Sequence, residues 1–342
     1  MPRSFKLLAT ASAGLCLGLG AFTTAWAQAS VNVYGLLDMS VGQFQAAGAQ
    51  KVWKADSGNM STSYLGFKGS EDLGGGLRAR FAIEHFIRLD QGAAGRFNGD
   101  AFWARSAYVG LQGAFGTTVL GRNTTPLFVS TLIFNALGDS FGFSPAIRQL
   151  FTPSLLPFFG DTAWNNSLAY ASPTYNGWSV NVIGNVSEGA PGANGRNIGG
   201  NVLYFNGPLS ASAAVQQVKN GAFGTPPGWV DQETFQLGAS YDLKAAKLFG
   251  QYTNVKTKAT ANSKTTIYGF GASVPVTELG RVIVQFNRAE AIDTATRTET
   301  TMSVAYSVLL SKNTELYAVA MTDRVTGLTT GTTLATGMRL RF

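Results

Sequence analysis

The sequence offers few groups that could make or break a covalent bond. Its single histidine, His85, continues an apolar alternation through Leu77, Ala79, Phe81 and Ile83. It is therefore expected on the outward face near a rim, with no nucleophile beside it to activate. Gly74-Gly75-Gly76 is followed by neither Lys-Ser/Thr nor a helix, so it reads as a tight turn and not as a phosphate loop. No His, Cys and paired-acid cluster has the spacing of a transition-metal site, and no metal or other cofactor is expected. No enzyme is expected either. What remains is charge held in strands: Lys68, Arg78, Arg80, Arg105 and Arg122 fall at or near the polar parity of their segments. Arginine on a lipid-facing strand position costs roughly 2–4 kcal/mol at mid-bilayer. A hydrated interior wall is the natural place for these side chains.

The elements that carry them follow from composition and patterning. Arg3 and Lys6 precede an uncharged apolar run, Leu7 to Phe22, and Ala25-Trp26-Ala27 supplies small residues where a signal peptidase reads. Residues 1–27 are expected to be a cleaved secretory leader, leaving one domain over 28–342. The leader also holds the only cysteine, Cys16, so the remainder has no disulfide to form. Of 26 basic residues, Arg3 and Lys6 lie in the leader. That leaves 24 against 19 acidic ones, a net charge of +5 spread without a block that would suit nucleic acid. Beyond the leader no apolar run approaches the ~20 residues that a membrane helix needs. With 23 Phe and 41 Gly, the exported chain is either soluble all-β or a membrane barrel whose apolar residues are hidden in alternation.

Alternation recurs from end to end. Val31, Val33, Gly35, Leu37, Met39 and Val41 share one face, and Asn32, Tyr34, Asp38 and Ser40 share the other; near the end Leu334, Thr336, Met338, Leu340 and Phe342 oppose Arg339 and Arg341. Short turn signals such as 71–74, 206–208 and 311–313 alternate with longer connections around 43–58, 187–197, 219–231 and 257–264. That rhythm suits short periplasmic turns and longer outside loops. Sixteen strands are expected, at 31–43, 60–70, 76–88, 102–113, 116–123, 163–173, 177–188, 197–205, 209–219, 232–242, 246–257, 264–275, 280–291, 297–309, 314–323 and 332–342. The fold class is all-β: a 16-stranded antiparallel transmembrane β-barrel.

Residues 124–162 break the rhythm. They hold Pro126, Pro145, Pro153 and Pro157, seven phenylalanines including Phe141 and Phe143, and Arg148, but only Asp139 and Asp161 as acids. A loop this long and apolar must pack against something. The inside of its own barrel is the expected surface, making it an inward-folded third loop.

The sequence resembles the general diffusion porins of the beta-proteobacterial outer-membrane type. The resemblance is carried by Val33-Tyr34-Gly35-Leu36-Leu37-Asp38, by Leu65-Gly66-Phe67-Lys68-Gly69-Ser70-Glu71-Asp72-Leu73-Gly74-Gly75-Gly76-Leu77, and by Ala107-Tyr108-Val109-Gly110-Leu111. Asn165 through Pro173 and Gly337-Met338-Arg339-Leu340-Arg341-Phe342 extend it to the end of the chain. It implies a homotrimer in the bacterial outer membrane, with outer-membrane lipids and the barrel-assembly machinery as partners and small solutes and ions as cargo. It also implies a constriction where wall cations face loop acids. Arg105, Arg80, Arg78, Lys68, Tyr64 and Arg122 are the expected wall residues; Asp139, Phe141, Phe143, Arg148 and Asp161 are the expected loop residues. Phe342, with Leu340 and Met338, is the expected assembly signal, and Gly35 on the outward face of the first strand is an expected subunit contact. The sequence departs from the family pattern in having Tyr64 and Ala169 where Arg is common and few acids in the loop. A weak transverse field and weak ion selectivity are expected. Passive diffusion is the expected function, and a channel preferring aromatic or moderately apolar solutes is the alternative.

Overall fold

A computed structural model describes residues 30–185, 196–219, 221 and 226–342. The expected leader at 1–27 lies outside these residues. Eighteen strands form: β1 Ser30–Phe44, β2 Val52–Ser57, β3 Tyr64–Gly74, β4 Leu77–Arg88, β5 Ala93–Ala94, β6 Ser106–Gly113, β7 Gly116–Thr124, β8 Ala163–Ala171 and β9 Trp178–Asn185. The second half adds β10 Ile198–Asn206, β11 Leu209–Val218, β12 Trp229–Asp242, β13 Lys247–Ala259, β14 Ser263–Pro275, β15 Gly280–Ile292, β16 Thr296–Leu309, β17 Thr314–Val325 and β18 Gly331–Arg341. Neighbours in sequence pair antiparallel, and β1 pairs with β18 from Leu36↔Arg341 to Gln43↔Leu334, which closes the sheet. β2 and β3 are two halves of one stave, both laddered on β1, and β5 is a two-residue hook on β4. The barrel therefore has sixteen staves.

Solvent exposure follows the pleat. In β16 and β17, Met302, Val304, Tyr306 and Leu316 are exposed on one parity, while Thr301, Ser303, Ser307, Glu315 and Asp323 are buried on the other. An apolar skin over a polar interior inverts a soluble sandwich, and it is the arrangement a lipid solvent selects. Gln, Thr, Ser and Asn recur among the side chains inside and give the interior wall a dense set of donors and acceptors, interrupted by apolar patches such as Ile267, Ile283 and Val319.

Three boundaries differ from the sequence expectation. The strand expected at 60–70 begins at Tyr64, and its outer half, β2, falls in the expected loop at 43–58. Residues 58–63 interrupt the stave where β1 advances only from Leu36 to Met39. Residues 102–105, expected in a strand, precede β6; Phe102 there stacks on His85 with ring centroids 4.0 Å apart, and its carbonyl pairs with His85 Nδ1. The third difference lies in residues 124–162, which contain two short helices, α1 Pro126–Ile133 and α2 Pro145–Phe151. Thr125 and Ser144 cap them by accepting from Phe128 N and Ile147 N at 3.3 and 3.4 Å. A proline follows each cap, at the position where its missing N–H costs nothing.

Candidate functional site: the polar lumen and the long segment

One group of side chains gathers around Glu84 on β4. Arg105 Nη1 lies 2.6 Å from Glu84 Oε2, and the Tyr34 hydroxyl donates to Glu84 Oε1 at 2.6 Å. The Arg105 guanidinium also sits 4.0 Å from the centre of the Tyr64 ring, which meets the Tyr34 ring edge-on at 6.0 Å. Lys68 Nζ covers the opposite end of this column, 4.3 Å from the Tyr34 ring centre. Gly66 makes room for it: a Cβ there would lie 2.8 Å from Tyr34 Cζ and 3.1 Å from Glu84 Cγ. Cations held over aromatic faces keep their charge while their direction is fixed. Tyr64 thus serves as the seat of Arg105. Arg80 continues the parity and bonds Gln112 at 3.2 Å, and Arg78, exposed near the turn, lies 3.9 Å from Asp72.

The long segment is tied to the polar parity of the staves by hydrogen bonds along its length. Asn201 donates to the Pro126 carbonyl and to Ser130 Oγ at 2.8 and 2.9 Å, and Gln251 donates to the Thr131 carbonyl at 2.8 Å. Gln285 accepts from Ala136 N at 3.0 Å, Ser303 donates to the Phe143 carbonyl at 2.6 Å, and Gln149 Nε2 reaches Thr301 Oγ1 at 3.1 Å. Gly238 on β12 lets the segment approach, since a Cβ there would stand 2.8 Å from Phe134 Cβ. The break at 58–63 meets the segment from the other direction. Ser140 Oγ donates to the Asn59 carbonyl at 2.7 Å, and Ser61 Oγ donates to Asp139 Oδ1 at 2.9 Å. Ser61 in turn accepts from Arg339 at 2.6 Å, and Arg339 pairs with Glu315 at 2.5 Å.

A cavity of about 620 Å³ lies between the segment and the remaining wall. Phe128, Phe141 and Phe151 line it on one flank, and Arg88 and Arg105 on the other; Arg148, Asp139 and Asp161 also reach it. Phe128 lies 6.0 Å from Phe141 and 5.1 Å from Phe151, so the three rings form one continuous face. Phe143 behaves differently from the sequence expectation. It is fully buried between Phe44 and Tyr317 and lines nothing, because its backbone turn aims it at the wall. Arg148 is held by Asp323 at 3.2 Å.

Arg122 also departs from expectation. A register shift between Gly121 and Asn123 accompanies its placement opposite Ala107, on the apolar parity. It does not line the cavity; it bonds the Ala104 and Ala163 carbonyls and lies 3.2 Å from Asp161. Asp161 is thereby a clamp at the end of the segment, shared with Arg96 at 3.4 Å. Arg96 is also chelated by Asp100 at 2.9 Å. Burial opposes charge on both groups, but their mutual bonds prevail: the Asp100 carboxyl is held below its ordinary range and the Arg96 guanidinium above its own. Lys68, Arg78 and Arg80 lie outside the cavity lining, nearer the short turns. Glu84, Asn59, Ser61, Arg88 and Arg96 were not singled out from sequence. Glu84 could have been, since it shares its parity with Arg78 and Arg80 on a strand whose other face is apolar. Arg88 and Arg96 could not, because their position depends on how the loop after β4 closes.

The terminal segment closes on the first stave. Phe342 and Gly35 exchange backbone hydrogen bonds, and the Phe342 ring lies where a Gly35 Cβ would project, 2.7 Å from its Cζ. The room that Gly35 leaves on the outward face is thus filled by the chain's own ring. Leu340 and Met338 share that outward face.

The comparisons with known proteins agree with this architecture. A model of the Gram-negative porin family matches residues 10–328. Outer membrane porin protein 32 of Delftia acidovorans is 35% identical over 325 residues, which is 87% of this chain and 85% of the relative. The major outer membrane protein P.IB of Neisseria gonorrhoeae is 28% identical over 250 residues, covering 70% of this chain and 67% of the relative. Among solved structures, an anion-selective porin from Comamonas acidovorans superposes with a TM-score of 0.78 at 29% identity, covering 92% of this chain and all of that one. The trimer form of OmpT from Vibrio cholerae shares the fold, with a TM-score of 0.70 at 14% identity over 92% of this chain and 99% of its own. None of these four names an aromatic solute, and the aromatic-preferring alternative gains no support from them. A closed sixteen-stave barrel with an apolar skin, a polar interior and relatives that match it nearly end to end make this chain a member of the Gram-negative porin family, an outer-membrane pore for the passive diffusion of small solutes.

Proposed function

We propose that residues 125–162 form the constriction of this pore, folded into the lumen, and that the narrow zone favours anions. The observation that carries the reading is the set of hydrogen bonds between the segment and Asn201, Gln251, Gln285, Ser303 and Thr301 of the wall, since these residues share the polar parity of their strands. Few acids in the segment weaken a transverse field, as the sequence suggests, but a net potential needs charge of one sign only. Arg88, Arg96, Arg105 and Arg148 reach the cavity against two acids, Asp139 and Asp161. A solute in the cavity therefore meets an excess of cations. The relative of Comamonas acidovorans named as anion-selective supports the same sign. Reversal potentials of single channels in a potassium chloride gradient test the reading: anion preference is expected, and cation preference would refute it.

The working unit is a homotrimer in this reading, supported by the relative solved in a trimer form. The mature chain starts at Gln28 after cleavage of the leader, and mass spectrometry of outer-membrane material checks this. Phe342, with Leu340 and Met338, presents the end strand to the barrel-assembly machinery. Deletion of Phe342 should slow insertion, and normal trimer yield would count against that role. Catalysis has no part in the reading, and barrel, lipid, water and solute are its only participants.

A further inference from the structure

The phenylalanines of the long segment divide into two kinds. Phe134 and Phe143 are fully buried and hold the segment to the wall. Phe128, Phe141 and Phe151 are only half-buried and line the cavity. The two helices show how the division arises. In α1, Leu127, Ser130 and Thr131 are buried against the wall, while Phe128 and Leu132, one turn apart, reach the cavity. In α2, Ile147 and Leu150 are buried, while Arg148 and Phe151 reach the cavity. Adhesion to the wall accounts for Phe134 and Phe143 but not for the three rings on the open side. Aromatic surface left toward water forgoes stabilisation, and a solute in the pore can recover it.

Guanidinium groups occupy the other flank. Arg88 gives its hydrogen bonds to neutral oxygens: Gln91 Oε1 and the Ala94 carbonyl at 3.2 Å, and Asn98 Oδ1 at 2.8 Å. Arg105 shares its charge with Glu84, Arg148 with Asp323, and Arg96 with Asp100 and Asp161. The two acids at the cavity are themselves engaged. Asp161 lies between Arg96 and Arg122, and Asp139 accepts from Ser61. One flank is therefore aromatic and the other cationic, around a volume of about 620 Å³ that is ordinary for a small-molecule site. A solute that satisfies both flanks is flat and aromatic at one end and anionic at the other. Guanidinium takes a carboxylate through two parallel hydrogen bonds, and a ring gains from edge or offset contact with Phe. Chloride satisfies one flank only, and a neutral aromatic molecule only the other.

We propose that this cavity is a binding site for aromatic carboxylates, with the ring against Phe128, Phe141 and Phe151 and the carboxylate at Arg88; the proposal rests on the anion-favouring reading of the constriction. Benzoate is the probe, compared with cyclohexanecarboxylate, which has the same charge and nearly the same size but no aromatic face. Each acid is added at neutral pH to single channels carrying chloride current, and its half-blocking concentration is read. Benzoate should block at a concentration about two- to ten-fold lower, the worth of one aromatic contact. In the combined variant Phe128→Leu, Phe141→Leu and Phe151→Leu, which keeps apolar bulk at each place, the two acids should become equivalent. Arg88→Gln should weaken both acids by the same factor. Equal block of the wild-type channel by the two acids would overturn the proposal, and this comparison needs no variant to fold. So would a benzoate advantage that survives the leucine substitutions, or block that Arg88→Gln leaves undiminished. The potassium chloride reversal potential keeps the two readings apart. A cation-selective channel refutes the anion reading, while an anion-selective channel that treats the two acids alike refutes this proposal alone.

Discussion

Phe342 and Gly35 hold each other by two backbone hydrogen bonds, 3.0 and 3.2 Å long, while the Phe342 ring rests on the glycine's bare outward face. The last residue is thus locked to the first stave in both its backbone and its side chain. Gly35→Val should press on the Tyr64 carbonyl as well as the Phe342 ring and loosen closure. Phe342→Ala should lower the unfolding transition by about 1 kcal/mol, half the usual value of a buried Phe because the ring is 51% exposed. Heat-modifiable mobility on gels reads both variants. A Gly35→Val barrel with unchanged heat resistance would show that the ring contact contributes nothing.

Arg105 carries a sharper expectation. Replacement by Gln removes the cation nearest Glu84 and leaves that carboxylate, 7% exposed, with the Tyr34 hydroxyl. Stability should drop by roughly 1–3 kcal/mol for the partly orphaned group. The reversal potential should move toward cations. The double variant with Glu84→Gln should regain stability while conductance stays altered, which separates packing from selectivity.

Phe141 and Phe143 are two residues apart and should behave in opposite ways. Phe143→Ser opens a hole between Phe44 and Tyr317 and should cost on the order of 3 kcal/mol of stability. Phe141→Ser removes a cavity-lining ring with little loss of stability. It should change single-channel conductance without moving the melting transition. Paired thermal melts and bilayer recordings of the two variants check the split.

Acid should loosen the loop after β4. Asp100 has its carboxyl lowered by Arg96 in the fold, despite the opposing effect of burial. A lowered folded pKa means that the stabilisation is complete above the unfolded value of about 3.9 and is lost as pH falls through the folded value. Proteolysis within residues 89–105 should rise only in strong acid. Asp100→Asn should show the susceptible pattern already at neutral pH.

The strands were legible because a lipid-facing skin and a polar interior impose a two-residue period over most of the wall. Most of the staves needed no information beyond it, and their ends shift by only a few residues among the described residues; the end expected at 188 lies outside them. The second stave was misread because its outer half, Val-Trp-Lys-Ala-Asp-Ser, has a polar residue at every other place but sits beyond a six-residue break. The helices were written in Thr125-Pro126 and Ser144-Pro145, cap and first-turn pairs that read as loop prolines when the surrounding pattern is sought in strand periods. The site was less legible. Arg105 could be named from its place before β6, yet its partners Glu84 and Tyr64 come from two other strands, and only the register β3–β4 brings them together. Arg122 shares the outward parity of Leu120, and its guanidinium is drawn instead to the Ala104 and Ala163 carbonyls and Asp161, contacts that depend on how the long segment ends.

The interruption at 58–63 leaves β2 laddered on β1 alone, with no strand along its other flank among the described residues. In a closed cylinder every amide is shielded by a neighbour on one side or the other. Here every second amide of Val52–Ser57 looks away from β1, toward the gap above β4. In heavy water these amides should exchange within the time that the rest of the wall remains protonated. The second stave should therefore fray from its outer end while its inner half, β3, stays locked between β1 and β4. Deuterium uptake would then mark a seam in a wall that is otherwise continuous, a hem that can part without unravelling the cylinder.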